Sequence, residues 1–165
     1  MRMKAVLSVL LLVMILSGCG YKIALKDADS AFTLYPSSII NESKEVMPDQ
    51  LFVNAVKSYL SSIHSLGTKD SSDFTGRFSL TEVTSSGAVT LTSGRTVTVD
   101  LTATIYIQVT DRNGKTLYNR YLAASSTYNI SSSSPTSTRN RDIAIEEAVQ
   151  TALDTFRYEF ENRKQ

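Results

Sequence analysis

The chain has no tryptophan, one histidine and one cysteine among its 165 residues. One cysteine, Cys19, cannot close an internal disulfide, so the core must hold by packing alone. One histidine, His64, leaves no Cys/His cluster for zinc. It also makes a serine–histidine–aspartate constellation improbable, because it falls at the end of a helical pattern, where a surface or cap role is the simple reading. No glycine-rich phosphate loop is present. The paired carboxylates Glu146-Glu147 and Glu159/Glu161 fall on what reads as a solvated helix surface. The missing tryptophan weakens a role in stacking on carbohydrate. These absences predict a protein that is not an enzyme and holds no metal or cofactor. Its work would then be binding and location.

A surplus of charge is also missing. The whole chain carries 17 basic and 16 acidic residues. If residues 1–18 are removed, Arg2 and Lys4 go with them, leaving 17 − 2 = 15 bases against 16 acids, a net charge near −1. That speaks against non-specific nucleic-acid binding, which needs a broad positive field. After the N-terminal segment, no stretch is apolar enough to span a membrane.

The N-terminus itself is distinctive. Arg2 and Lys4 precede an apolar run, Ala5 to Leu16, broken only by Ser8; Ser17 and Gly18 follow. A basic start, a short apolar middle and small residues at the end are the layout of a secretory signal. The run is shorter than the ~20 residues a spanning helix needs. A lone cysteine in a secreted chain reads as a reactive thiol or an intermolecular bridge. However, Leu16-Ser17-Gly18-Cys19 resembles the bacterial lipobox. That resemblance implies a lipid on the Cys19 thiol, cleavage before it, and acylation of the new amine. Residues 1–18 are then a lipoprotein signal peptide and 19–30 a lipidated tether. Gly20 stands where an aspartate would favour inner-membrane retention in enteric lipoproteins, so the resemblance implies the outer membrane, with the domain facing the periplasm.

Residues 31–165 read as one domain, with enough hydrophobic content (42% of the chain) for a core. Ala31 to Tyr35 alternates like a short strand, which Pro36 should end. Pro48 suits the first turn of a helix whose apolar face is Phe52, Ala55, Val56, Tyr59, Leu60 and Ile63. Gly67 is expected to cap it. Phe74 to Val83 alternates as a second strand, and Ser85 to Gly94 reads as a polar connection or hairpin tip. "RTVTVDLTATIYIQV" is the strongest strand signal. Val97, Val99, Leu101, Ala103, Ile105, Ile107 and Val109 share one face, and a threonine-rich set shares the other. Asn113-Gly114 is the favoured hairpin turn because both residues tolerate positive φ. Thr116 to Ile130 is the return strand. Ser131 to Pro135 reads as a loop, with Thr136 to Thr138 offering N-cap oxygens. Arg141 to Phe160 is an amphipathic helix, with Ile145, Ala148, Val149, Ala152, Phe156 and Phe160 on one face, flanked by Ile143 and Leu153. The order β-α-β-β-β-α predicts an α+β, two-layer sandwich, a sheet of about four strands with two helices on one face.

The ordered set of segments resembles the LptE family, lipoproteins that partner the outer-membrane barrel LptD in lipopolysaccharide assembly. The likeness rests on "SGCGYKI", "LYPSSIINES", "DFTGRFSLTEV", the hairpin "VDLTATIYIQVTDRNGKTLYNRYLAASSTYNI" and the helix "RNRDIAIEEAVQTALDTFRYEF". Tyr118 stands near the start of the return strand, where many members carry an aromatic or a tryptophan. The resemblance implies a domain that plugs the LptD barrel, supports its assembly and helps deliver lipopolysaccharide to the outer leaflet. The threonine-rich strand face would suit a polar barrel lumen, or is simply wet. The family's lipopolysaccharide contacts map onto Arg95, before the long hairpin, and Arg139 and Arg141, ahead of the last helix. Guanidinium pairs well with phosphate, and ordinary surface arginines would look the same. Other readings are an activator of a periplasmic peptidoglycan synthase, which would need a longer tether, and a structural lipoprotein.

Overall fold

The computed structural model describes residues 32–44, 49–90, 97–130 and 134–163. Six elements follow in the order β1 (Leu34–Asn41), α1 (Asp49–Ser62), β2 (Phe74–Thr90), β3 (Val97–Asp111), β4 (Thr116–Ile130) and α2 (Ser134–Asn162). The sheet order is β1-β2-β3-β4. β1 pairs with β2 in parallel; the other two pairings are antiparallel. A parallel neighbour needs a crossover, and α1 supplies it. Both helices pack on one face, so the expected two-layer α+β arrangement is what the chain adopts.

Strict alternation in β3 builds that face. Leu101, Ala103, Ile105, Ile107 and Val109 are fully buried, and Val99 nearly so. α2 covers them with Ala144, Ile145, Ala148, Val149, Ala152, Leu153, Phe156 and Phe160, the i, i+3, i+4 rows of one helix side. Ile143 falls off that stripe and is exposed instead of flanking the core. Phe156 is the aromatic hub. Its ring lies 5.1–6.3 Å from those of Phe32, Phe78, Tyr118 and Phe160.

Four local expectations need correction. β1 does not stop at Pro36 but continues to Asn41. It is an edge strand, where proline sacrifices no ladder bond, and a register shift between Pro36 and Ser38 absorbs the irregularity. α1 is ended by His64, not by Gly67. His64 has φ 54°, and the following Ser65 and Leu66 N–H groups both donate to the Leu60 carbonyl. Histidine tolerates this left-handed region better than most residues. β2 runs on to Thr90, through the stretch that reads as a connection. Shifts between Leu80 and Glu82 and between Ser86 and Ala88 break its alternation, which hides the strand in the sequence. At the β3–β4 turn only Gly114 has positive φ, 81°. The Gly114 N–H donates to the Asp111 carbonyl and the Asp111 N–H to the Lys115 carbonyl, a turn plus a glycine bulge. The Asp111 carboxylate accepts the Asn113 and Lys115 N–H groups, which favours this longer form. A smaller difference lies in α2, which begins at Ser134 and places Pro135 in the first turn, where a missing N–H costs nothing.

Gly76 is set by packing. A Cβ there would lie 2.7 Å from Leu34 Cδ2 and 2.8 Å from Phe78 Cε2, both buried side chains.

Two buried phenols join the layers. Tyr59 donates to Asp154 at 2.8 Å, linking α1 to α2, and Tyr118 donates to Glu159 at 2.9 Å, linking β4 to α2. Glu159 is therefore an anchor and not merely a solvated carboxylate; Arg120 also approaches it at 3.4 Å. Burial first, then the carboxylate partner, raises the pKa of both phenols above the ordinary tyrosine value. The folded state therefore holds these protons where the unfolded chain releases them. The resulting stability is complete below about pH 10 and declines as pH rises through and above it. Urea midpoints measured from pH 8 to 11.5 should fall above pH 10. In Tyr59→Phe/Tyr118→Phe the fall should be shallower, since neither phenol remains to ionise.

Candidate functional site

The second face of the sheet is covered by no described element. Cross-strand register arranges it in rows. Ser38, Arg77, Gln108 and Asn119 form one row across the four strands; Ile40, Ser79, Tyr106 and Tyr121 form the next. Further along come Thr104 opposite Ala123, Thr102 opposite Ser125, and Thr98 opposite Asn129. Thr102 Oγ1 and Ser125 Oγ share a hydrogen bond of 2.8 Å, and Thr98 Oγ1 donates to Asn129 Oδ1 at 2.8 Å. The Tyr106 and Tyr121 rings are 5.0 Å apart and tilted at 47°. Tyr121 is two-thirds exposed.

This face has the composition of a contact surface. Its β3 residues, from Thr98 to Thr110, are half-buried or exposed although no described element lies over them. Charged groups are sparse along it: Arg77, Glu82 and Asp100. Hydroxyls dominate, with two tyrosines in the middle. Protein interfaces are rich in tyrosine and arginine and poor in lysine and glutamate relative to other surface. Two adjoining hollows mark the centre, of about 600 Å³ and about 190 Å³, sharing Glu42, Thr81 and Tyr121.

The arginines proposed from sequence are placed differently. Cys19 and Arg95 lie outside the described residues. Arg139 is exposed and Arg141 half-buried, both within the first turns of α2. Two residues apart on a helix, they point to different sides. The strand ends flanking Arg95 are nonetheless near. Thr90 pairs with Val97, and Val97 pairs with Ile130, four residues before α2 begins. Asn140 Nδ2 donates to the Asn129 carbonyl at 2.9 Å, tying α2 to this end of the sheet. Exposed Ile130 and Ile143 sit there too. Basic and apolar groups thus share one end of the domain. His64 is exposed and serves as the helix stop. No group of three or more potential metal ligands occurs among the described residues, and none of their helices is long and apolar enough to cross a membrane.

The family model for lipopolysaccharide-assembly LptE proteins matches residues 33–158. The chain belongs to the LptE family. No curated protein gives a significant match. Among solved structures, the rare lipoprotein B of Shewanella oneidensis is similar, at 12% identity and TM-score 0.49, over 78% of this chain and 99% of that one. A minor lipoprotein of Acinetobacter baumannii is 18% identical, with TM-score 0.47, over 78% and 94%. A hypothetical protein of Chlamydia trachomatis is 12% identical, with TM-score 0.49, over 77% and 96%. Membership gives this LptE-family chain a role as a lipoprotein of lipopolysaccharide assembly. The open face is legible in the sequence only in part. Its β3 threonines were visible as alternation, but the Arg77–Ser79 and Tyr106–Tyr121 rows need cross-strand register.

Proposed function

We propose that this LptE-family protein is an outer-membrane lipoprotein, anchored through Cys19, that plugs an LptD-like barrel and helps deliver lipopolysaccharide to the outer leaflet. The observation that carries the reading is the open, hydroxyl-rich sheet face. A barrel lumen is polar, and a plug must meet it with polar, weakly charged surface. Tether length fits as well. Phe32 is buried against Phe74 and Phe160, and Thr33 Oγ1 and N–H donate to the Asp73 carboxylate at 2.8 and 3.2 Å. The domain is therefore pinned from residue 32 onward. The twelve residues read as tether, 19–30, would reach at most about 40 Å when fully extended. The domain stays close to the membrane that holds its lipid.

Arg95, Arg139 and Arg141 are the proposed contacts to lipopolysaccharide phosphate. Exposed Ile130 and Ile143 beside them suit an amphiphile. Depletion of the protein in its native host tests the function. Lipopolysaccharide at the cell surface should fall, and wild-type protein should restore it. A triple variant, Arg95→Glu, Arg139→Glu and Arg141→Glu, should restore it poorly and bind lipopolysaccharide about tenfold more weakly, as expected for losing charge-assisted contacts. Unchanged surface lipopolysaccharide on depletion would contradict the reading.

A further inference from the structure

The smaller hollow holds a feature that the fold itself does not use. Ser79 is 6% exposed, and its hydroxyl has no hydrogen-bond partner among the described residues. A buried hydroxyl without a partner is costly and uncommon. Ser79 lies on the open face between Ile40 and Tyr106 and lines the hollow together with Arg77, Gln108 and Tyr121. Arg77 is exposed and makes no ion pair among the described residues. The hollow therefore brings together a planar guanidinium, an unused hydroxyl and a carboxamide. We propose that it seats an aspartate or glutamate side chain of the polypeptide that covers this face; this rests on the plug reading above.

A carboxylate fits the donors. Guanidinium binds it through two parallel N–H bonds, and the Ser79 O–H can add a third. Glu42 lines both hollows and opposes an acid, and Lys44, which lines the adjoining one, offsets it. A polypeptide fits the setting better than a free anion or a single sugar. The hollow, at Tyr106 and Gln108, belongs to a face that follows β3 for 15 residues, about 50 Å. Threonine and serine continue away from it, and tyrosine flanks it. Tyrosine and arginine are the residues that most often carry binding energy in protein contacts. Reaching the Ser79 hydroxyl needs rotation of surface side chains such as Tyr121 or Arg77, a fast motion at exposed positions.

The test uses the full chain in its native membranes, with a photo-crosslinking phenylalanine analogue at Gln108 and, separately, at Ile143 outside the groove. Gln108 should yield a polypeptide adduct whose crosslinked peptide contains Asp or Glu. Arg77→Glu should lower recovery of that partner about tenfold or more, with Arg77→Lys intermediate. Changing the mapped acid to Arg should restore recovery to Arg77→Glu. Unchanged thermal melting of Arg77→Glu shows that the fold is intact. Partner captured at Ile143 but not at Gln108 would overturn the socket and leave the plug reading standing; no protein captured at either would overturn both. An adduct only with glycolipid at Gln108, or full recovery with Arg77→Glu, would also overturn the socket.

Discussion

Cys19→Ala should abolish metabolic labelling of the protein by palmitate and remove it from the outer-membrane fraction. The effect should be close to complete. Each buried CH₂ contributes about 0.8 kcal/mol, so one sixteen-carbon chain contributes about 10 kcal/mol, and two or three make release negligible. Nothing else in the sequence after residue 18 is apolar enough to replace that anchor. Cleavage before residue 19 should fail as well, because the lipobox reading makes the modified cysteine the cue for cutting. The variant should therefore run larger on a gel by the mass of residues 1–18 and fractionate with the inner membrane. Persisting palmitate label would show that Cys19 is not the lipid site. An unlabelled but normally cleaved and secreted wild-type protein would favour the ordinary signal-peptide reading.

Phe156→Ala should destabilise the domain by about 3–5 kcal/mol, the range for deleting a buried aromatic. Phe156 is fully buried, and four aromatic rings surround it. Those rings come from the segment before β1, from β2, from β4 and from α2 itself, so one cavity loosens several elements together. Against a total stability of about 5–15 kcal/mol for a domain, the melting temperature should fall by about 10–15 °C. Tyr158, two positions along on the exposed side of the same helix, gives the control. Tyr158→Ala should change stability by no more than about 0.5 kcal/mol. Equal losses in the two variants would mean that the aromatic hub is not the centre of the core.

Elements whose residues alternate or repeat without interruption were legible from sequence. β3, with every second residue buried, and α2, with one apolar stripe, could be read almost residue by residue. Features set by long-range pairing were not. β1 continues past Pro36 only because it is an edge strand with a parallel neighbour. The second half of β2 is a strand only because β3 lies beside it; its two register shifts erase the period-two signal. His64 stops α1 through a backbone conformation that histidine tolerates but does not announce. The candidate site shows the same division. Threonines facing away from the core in β3 were visible. Arg77, Ser79 and Gln108 come together through register between three strands, which a single sequence does not display.

The central claim is that this domain works inside a barrel, with the open sheet face against its wall. The most direct measurement is affinity purification of the full, lipidated chain from detergent-solubilised membranes, followed by mass spectrometry of what remains bound. One large outer-membrane β-barrel protein should be recovered, in near-equal amount with the bait and stable to high-salt washing. Recovery of periplasmic cell-wall synthases in its place, or of the bait alone, would contradict it.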